Sequence, residues 1–205
     1  QQAKENITKF HAAQKTEKVS VETTKGVQCW QEKRPIQKVG LYVPGGTAPL
    51  LSTVLMLSIP AKIAGCKEIV LCSPPNKEGK LPPAILYAAN LCGVTKIIKV
   101  GGIQAIAAYT FGTETIPQVY KIFGPGNQFV TVAKQLATKY GVAIDMPAGP
   151  SELLIVADDS ANASFVAADL LSQAEHGIDS QVVLVSTSKK LIDAVSIEIE
   201  KQLLE

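Results

Sequence analysis

Two hundred and five residues, 46% hydrophobic and 19% charged, with Gly 15 and Pro 12, suit one ordinary domain or two small ones, with enough core to fold without disulfide or metal. This composition excludes disordered, collagen-like and low-complexity chains. Twenty basic against 18 acidic side chains leave a scattered +2, and aromatics make up only 5%, so neither a basic stripe nor a stacking platform for nucleic acid is present.

The chain opens at QQAKENITKFHAAQ, without Met and inside a helix-forming run, where His11 reads as a solvated surface residue. This opening holds no charged-then-apolar run, so no secretory leader is expected within the sequence. Strand candidates then follow at 38–43, 68–72, 96–100, 119–123, 142–145, 153–157 and 181–186, rich in Val and Ile and mostly continuous, as in strands buried on both faces. Helix candidates lie between them at about 49–64, 81–92, 102–110, 127–139 and 161–176. The last run, KKLIDAVSIEIEKQLLE, repeats apolar residues at helical spacing and has no capping residue. Both ends therefore predict a segment of a longer protein.

Strand and helix in alternation predict an α/β fold: parallel sheets with flanking helices. Two Pro/Gly seams, EKRPIQ (32–37) and PAGPSE (147–152), divide it. Residues 38–152 read as one Rossmann-like module, and 1–37 and 153–205 as parts of a second, incomplete one. Every apolar stretch is broken well before eighteen residues, so no membrane partner is expected. Cys29, Cys66, Cys72 and Cys92 include no Cys-x-x-Cys and no nearby His, which predicts free thiols and a cytoplasmic protein.

In open α/β sheets ligands sit beyond the carboxyl ends of the strands. Four Gly/Pro-dense loops fall there: YVPGGTAPL, VGGIQ, FGPGNQF and DMPAGPSE. Each alone is ordinary turn chemistry; together they predict backbone N–H groups open to a phosphate or carboxylate. No Gly-x-Gly-x-x-Gly, Walker loop or G-x-S-x-G occurs. His176 ends the helical run DLLSQAEHG before Gly177, where capping is the simplest role. Gln173 lies on the same helix side, three residues earlier. Two such groups are too few for a closed zinc site. From residues alone the reading stops at an α/β module that binds a cofactor or substrate.

The runs VGLYVPGGTAPLLSTVLMLSIPAKIAGCKEIVLCSPP, VGGIQAIAAYTFGTE, KIFGPGNQFVTVAK, AIDMPAGPSE and DLLSQAEHGIDSQV closely resemble the histidinol dehydrogenase family, in register from about residue 3 to 187. The resemblance implies two incomplete Rossmann-like domains, one inserted in the other, and a homodimeric enzyme of histidine biosynthesis that uses NAD and zinc. Such an enzyme oxidises L-histidinol through an aldehyde to L-histidine. By motif it implies Tyr42, Gln104 and Asn127 as NAD contacts and Ser151 as a substrate contact. It implies Gln173 and His176 as zinc ligands beside the substrate, which places the ligand role of His176 above capping. The family's other zinc ligands, an Asp and a His from the partner subunit, and its Glu-His proton-transfer pair fall beyond residue 205. No residue here takes a catalytic proton-transfer role, and the segment by itself is expected to be inactive. The alternative is a non-catalytic α/β binding module; a related NAD enzyme acting on another amino alcohol is weaker, given SQAEHG.

Overall fold

The structure, a computed structural model, describes residues 1–45, 50–147, 152–175 and 180–204. It divides into two compact units, Gln1–Ala148 and Gly149–Glu205.

The first unit begins with α1 (Gln2–Ala13), which packs on α2, and a hairpin of β1 (Ser20–Thr24) and β2 (Val27–Trp30). The sequence reading missed that hairpin. Its signal is short: two alternating runs joined at Lys25-Gly26, with Thr24 opposite Val27 and Gly26 at φ +84. His11 is half-buried rather than solvated, and its Nε2 has no hydrogen-bond partner among the described residues.

Five strands with intervening helices follow: β3 (Lys38–Tyr42), α2 (Leu51–Ala64), β4 (Glu68–Cys72), α3 (Pro83–Leu91), β5 (Lys96–Ile98), α4 (Gly102–Phe111), β6 (Lys121–Phe123), α5 (Gln128–Ala137) and β7 (Ala143–Ile144). All pair in parallel, in the order β5-β4-β3-β6-β7. This is the expected α/β class. Alternate residues of the central strands divide between two layers, as the pleat requires. Val43 and Leu71 pack with Val54, Ile85 and Ala89 from α2 and α3, whereas Tyr42, Val70, Cys72 and Ile122 pack with Ile106, Tyr109 and Val130 from α4 and α5. Helices on both faces are what near-continuous apolar strands require. Of the four cysteines, Cys72 and Cys92 are buried, Cys66 is partly covered and Cys29 is exposed; all are free.

The order reverses between β3 and β6. The first three strands step outward to one side of β3, and the chain then crosses to β6 on the other. The chain leaves β3 for a helix on one face and β6 for a helix on the opposite face. That divergence opens a crevice at the carboxyl ends of the two strands.

The second unit runs β8 (Glu152–Ala157), α6 (Ala163–Ala174), β9 (Gln181–Ser186), α7 (Lys189–Gln202), with β8 and β9 parallel. Asn162 caps α6 through Ser164 N, and Ser188, just before the apolar-periodic run, caps α7 through Leu191 N, which corrects the expectation that nothing caps this last helix. Ile155, Ala157, Val182 and Leu184 pack beneath the two helices around Val166, Leu170, Leu191 and Val195. The strands are apolar on both faces, but their own helices cover only one; Leu154 and Val156 stay 61% and 75% exposed. Burial on both faces, expected from the continuous apolar runs, holds in the five-stranded sheet and not here. Among the described residues no helix is long and apolar enough to cross a membrane.

Candidate functional site

The crevice gathers three of the six residues singled out in the sequence. Tyr42 ends β3, is 4% exposed, and its hydroxyl oxygen accepts the Gly102 N–H at 3.0 Å. It thereby ties the switch-point strand to the first turn of α4. Gln104 stands exposed in that turn, with its Oε1 folded back so that a Cβ on Gly102 would lie only 2.8 Å from it. Gly102 takes φ +63, which places a left-handed residue at this helix start. The tyrosine hydroxyl, used here as an acceptor, keeps its own proton for a second partner.

Asn127 sits across the crevice, after β6. Its side-chain oxygen accepts Val130 N–H at 3.0 Å and caps α5. With the oxygen committed to the cap, its amide NH2 is the group it offers outward. Gly124, one residue past β6, is at φ +122, and a Cβ there would lie 2.0 Å from the Tyr42 carbonyl oxygen. The two strand ends therefore meet backbone to backbone.

Several loop glycines serve a purpose the sequence reading had not assigned. A Cβ on Gly45 would stand 2.6 Å from Pro74, one on Gly101 2.5 Å from Pro74, and one on Gly126 2.4 Å from Val130. The side of each glycine on which a Cβ would stand is filled by the protein itself, and the loops after β3, β4 and β5 close on Pro74.

Beneath the crevice lies a group the sequence reading did not single out. Lys134 of α5, its side chain 3% exposed, pairs with Asp145 Oδ1 and donates to Gly124 O at 2.7 Å. Asp145 Oδ2 accepts Gly124 N–H at 2.7 Å. The signal was present: Val130, Lys134 and Ala137, all buried, form an i, i+4, i+7 stripe on α5.

Behind these residues, Tyr109 is buried, and its single O–H proton is shared between the carbonyls of Leu41 (3.0 Å) and Val70 (2.9 Å). Burial pushes its hydroxyl well above the usual tyrosine range. Burial likewise pushes the Cys72 thiol up to about 11, against the neighbouring Tyr109 hydroxyl, which favours the thiolate. Both groups lie inside the sheet–helix layer and stay protonated at neutral pH.

A histidinol dehydrogenase family model matches residues 1–205. The chain belongs to the histidinol dehydrogenase family. A histidinol dehydrogenase from Bacteroides fragilis is 69% identical over 98% of this chain, which covers 47% of that protein. One from Shewanella oneidensis is 60% identical over 98%, covering 46%. The crystal structure of the histidinol dehydrogenase from Elizabethkingia anophelis superposes with a TM-score of 0.94 at 62% identity, over 99% of this chain and 47% of that one. A probable aldehyde dehydrogenase from Listeria monocytogenes, at 19% identity and TM-score 0.54 over 98% of this chain and 46% of that one, shares the fold alone. The chain thus spans about half the length of the family members it matches.

In the second unit, Gln173 is half-buried in the last turn of α6. His176 and Ser151, the other expected contacts there, lie outside the described residues. Among the described residues no three His, Cys, Asp or Glu side chains gather in a metal-binding group. An amide oxygen and one imidazole make at most two of the three or four protein ligands zinc takes. Gln173 and His176 by themselves would leave one or two zinc positions to donors from elsewhere. The crevice, with a switch point, adjacent helix starts and polar groups at its mouth, does fit a dinucleotide.

Proposed function

We propose that the protein of which this chain forms the cofactor-binding part oxidises L-histidinol through the aldehyde to L-histidine, using NAD and zinc, as a cytoplasmic homodimer. The reading rests chiefly on the reversal of strand order between β3 and β6, with Tyr42 and Asn127 on its two sides in a chain of this family. NAD, when bound, accepts the hydride in each of the two oxidations.

On this reading the crevice contributes position rather than proton transfer. Asn127 offers its amide NH2, Gln104 its amide, and Tyr42 its hydroxyl proton and ring edge, so the dinucleotide is oriented along the carboxyl edge of the sheet. Ser151, Gln173 and His176 contact the substrate, and Gln173 and His176 supply two of the zinc ligands. The remaining ligands and the acid–base pair come from residues outside this chain.

The test is steady-state NADH formation from L-histidinol by the full-length protein. Asn127→Ala is expected to raise the KM for NAD about tenfold, the scale of one lost hydrogen bond. The isolated chain is expected to form no NADH and to bind NAD with a Kd in the range of roughly mM. A full-length protein that forms no NADH from histidinol, or whose KM for NAD ignores changes at Tyr42, Gln104 and Asn127, overturns the proposal.

A further inference from the structure

We infer that the Lys134–Asp145 ion pair is a positioning device for the cofactor turn, a role that rests on the NAD reading of the crevice. Gly124 is the first residue past β6, and there the chain departs from its sheet neighbours toward α5. Its N–H and C=O still need partners, because a buried peptide group without one is costly. Both are taken by one ion pair: Asp145 accepts the N–H and Lys134 donates to the C=O. Lys134 and Asp145 also pair with each other, which closes a ring of bonds around a single residue.

Each member of the ring comes from a different element. Lys134 stands near the C-terminal end of α5, and its side chain runs back toward the helix start, the direction helical side chains take. Asp145 directly follows β7 and is anchored through its own N–H to Ile122 O at 3.1 Å. Gly124 itself lies so close to the Tyr42 carbonyl that no side chain fits between them. The ring therefore fixes the turn Gly124–Asn127 against β3, β7 and α5 at once. Asn127, three residues on, has its oxygen tied to Val130 and its amide NH2 facing out. The direction of that NH2 follows from where the turn is held.

A lysine this deeply buried is an expensive way to fill space. Desolvating the ammonium fully and the carboxylate in part (side chains 3% and 27% exposed) costs free energy that an apolar pair of the same volume does not. Where only packing is needed, the Val130–Ala137 stripe would be served by leucine or methionine at position 134. What the ion pair adds is direction: two charged partners, each fixed on one of the two polar groups of the same glycine.

The test uses the full-length protein with NAD as the probe. Lys134→Met is expected to raise the Kd for NAD tenfold or more, the scale on which small misplacements act. It is also expected to lower the melting temperature, because Asp145 is left unpaired. The double variant Lys134→Met/Asp145→Leu removes both charges, so it should recover much of that temperature while NAD binding stays weak. Asn127→Ala should cost about tenfold in the wild-type background and little in Lys134→Met, since the amide it removes is already misdirected. Amide exchange without cofactor should rise locally over 121–130 in Lys134→Met. If NAD affinity returns together with melting temperature in the double variant, the pair is only structural. Additive effects of Lys134→Met and Asn127→Ala overturn the inference in the same way, and both results leave the NAD site standing. A wild-type protein that binds no NAD overturns the cofactor reading itself, and with it the positioning role.

Discussion

Replacing Gly124 by Ala tests the tightest Cβ position among the described glycines. The added Cβ would fall 2.0 Å from the Tyr42 carbonyl oxygen and 2.9 Å from the Tyr42 carbonyl carbon. Carbon and oxygen pack at about 3.3 Å or more, so β3 and the turn must separate by more than an ångström. The atoms in the way are backbone, which no side-chain rotation relieves. Overpacking of this kind costs about 1–3 kcal/mol, and the backbone at φ +122 adds about 1–3 kcal/mol for a residue with a Cβ. Together they remove roughly 2–6 kcal/mol from a stability of about 5–15 kcal/mol. Gly141→Ala is the control, because Gly141 has φ +81 but nothing within 4 Å of its Cβ position. It carries only the left-handed penalty, about 1–2 kcal/mol. Urea unfolding followed by circular dichroism compares the two. If Gly124→Ala unfolds at the same urea concentration as Gly141→Ala, the strand ends do not meet as described.

Tyr109→Phe should lose about 1–3 kcal/mol in the same assay, because the one buried donor that the carbonyls of Leu41 and Val70 share is removed. The Cys72 thiol keeps its proton to about pH 11 when folded but releases it near its ordinary 9.0 when unfolded. The unfolded chain thus holds fewer protons between these values, and stability should fall as pH rises from 9 to 11, by about 1.4 kcal/mol per unit from this group. Cys72→Ala should flatten that alkaline slope, and an unchanged slope would assign it elsewhere. Excess chelator should leave helix and strand dichroism intact, since the hydrophobic clusters of each unit involve no metal ligand; loss of structure would give zinc a folding role.

The five-stranded sheet was legible because its signals are local and agree with one another. The apolar run EIVLC (68–72) became a strand over those same residues, since Lys67 precedes it and Ser73-Pro74 follow it. The 96–100 and 119–123 runs shortened to Lys96–Ile98 and Lys121–Phe123 where the pairing with a neighbour ends, a limit no single strand carries in its own residues. The hairpin of β1 and β2 escaped because all its residues are exposed, so no burial pattern marks it. Tyr42, Gln104 and Asn127 were singled out through family motifs; composition and spacing alone pointed only to the loops around them.

Lys134 escaped for a different reason. Lysine is the residue least expected in a core, and a charge within an apolar stripe reads as the edge of a solvated face. Its environment is set by Gly124, ten positions away on the turn before its helix, and by Asp145, eleven positions away past the next strand. Both separations are short in sequence, yet the three meet only because β6 and β7 lie side by side and α5 folds back across them. Strand order supplies that meeting. The reversal that opens the crevice also takes the chain out of the sheet just past Phe123, which leaves the two polar groups of Gly124 in need of partners. The opening proposed to take the cofactor and the need for the Lys134–Asp145 pair are therefore two consequences of one step in the topology.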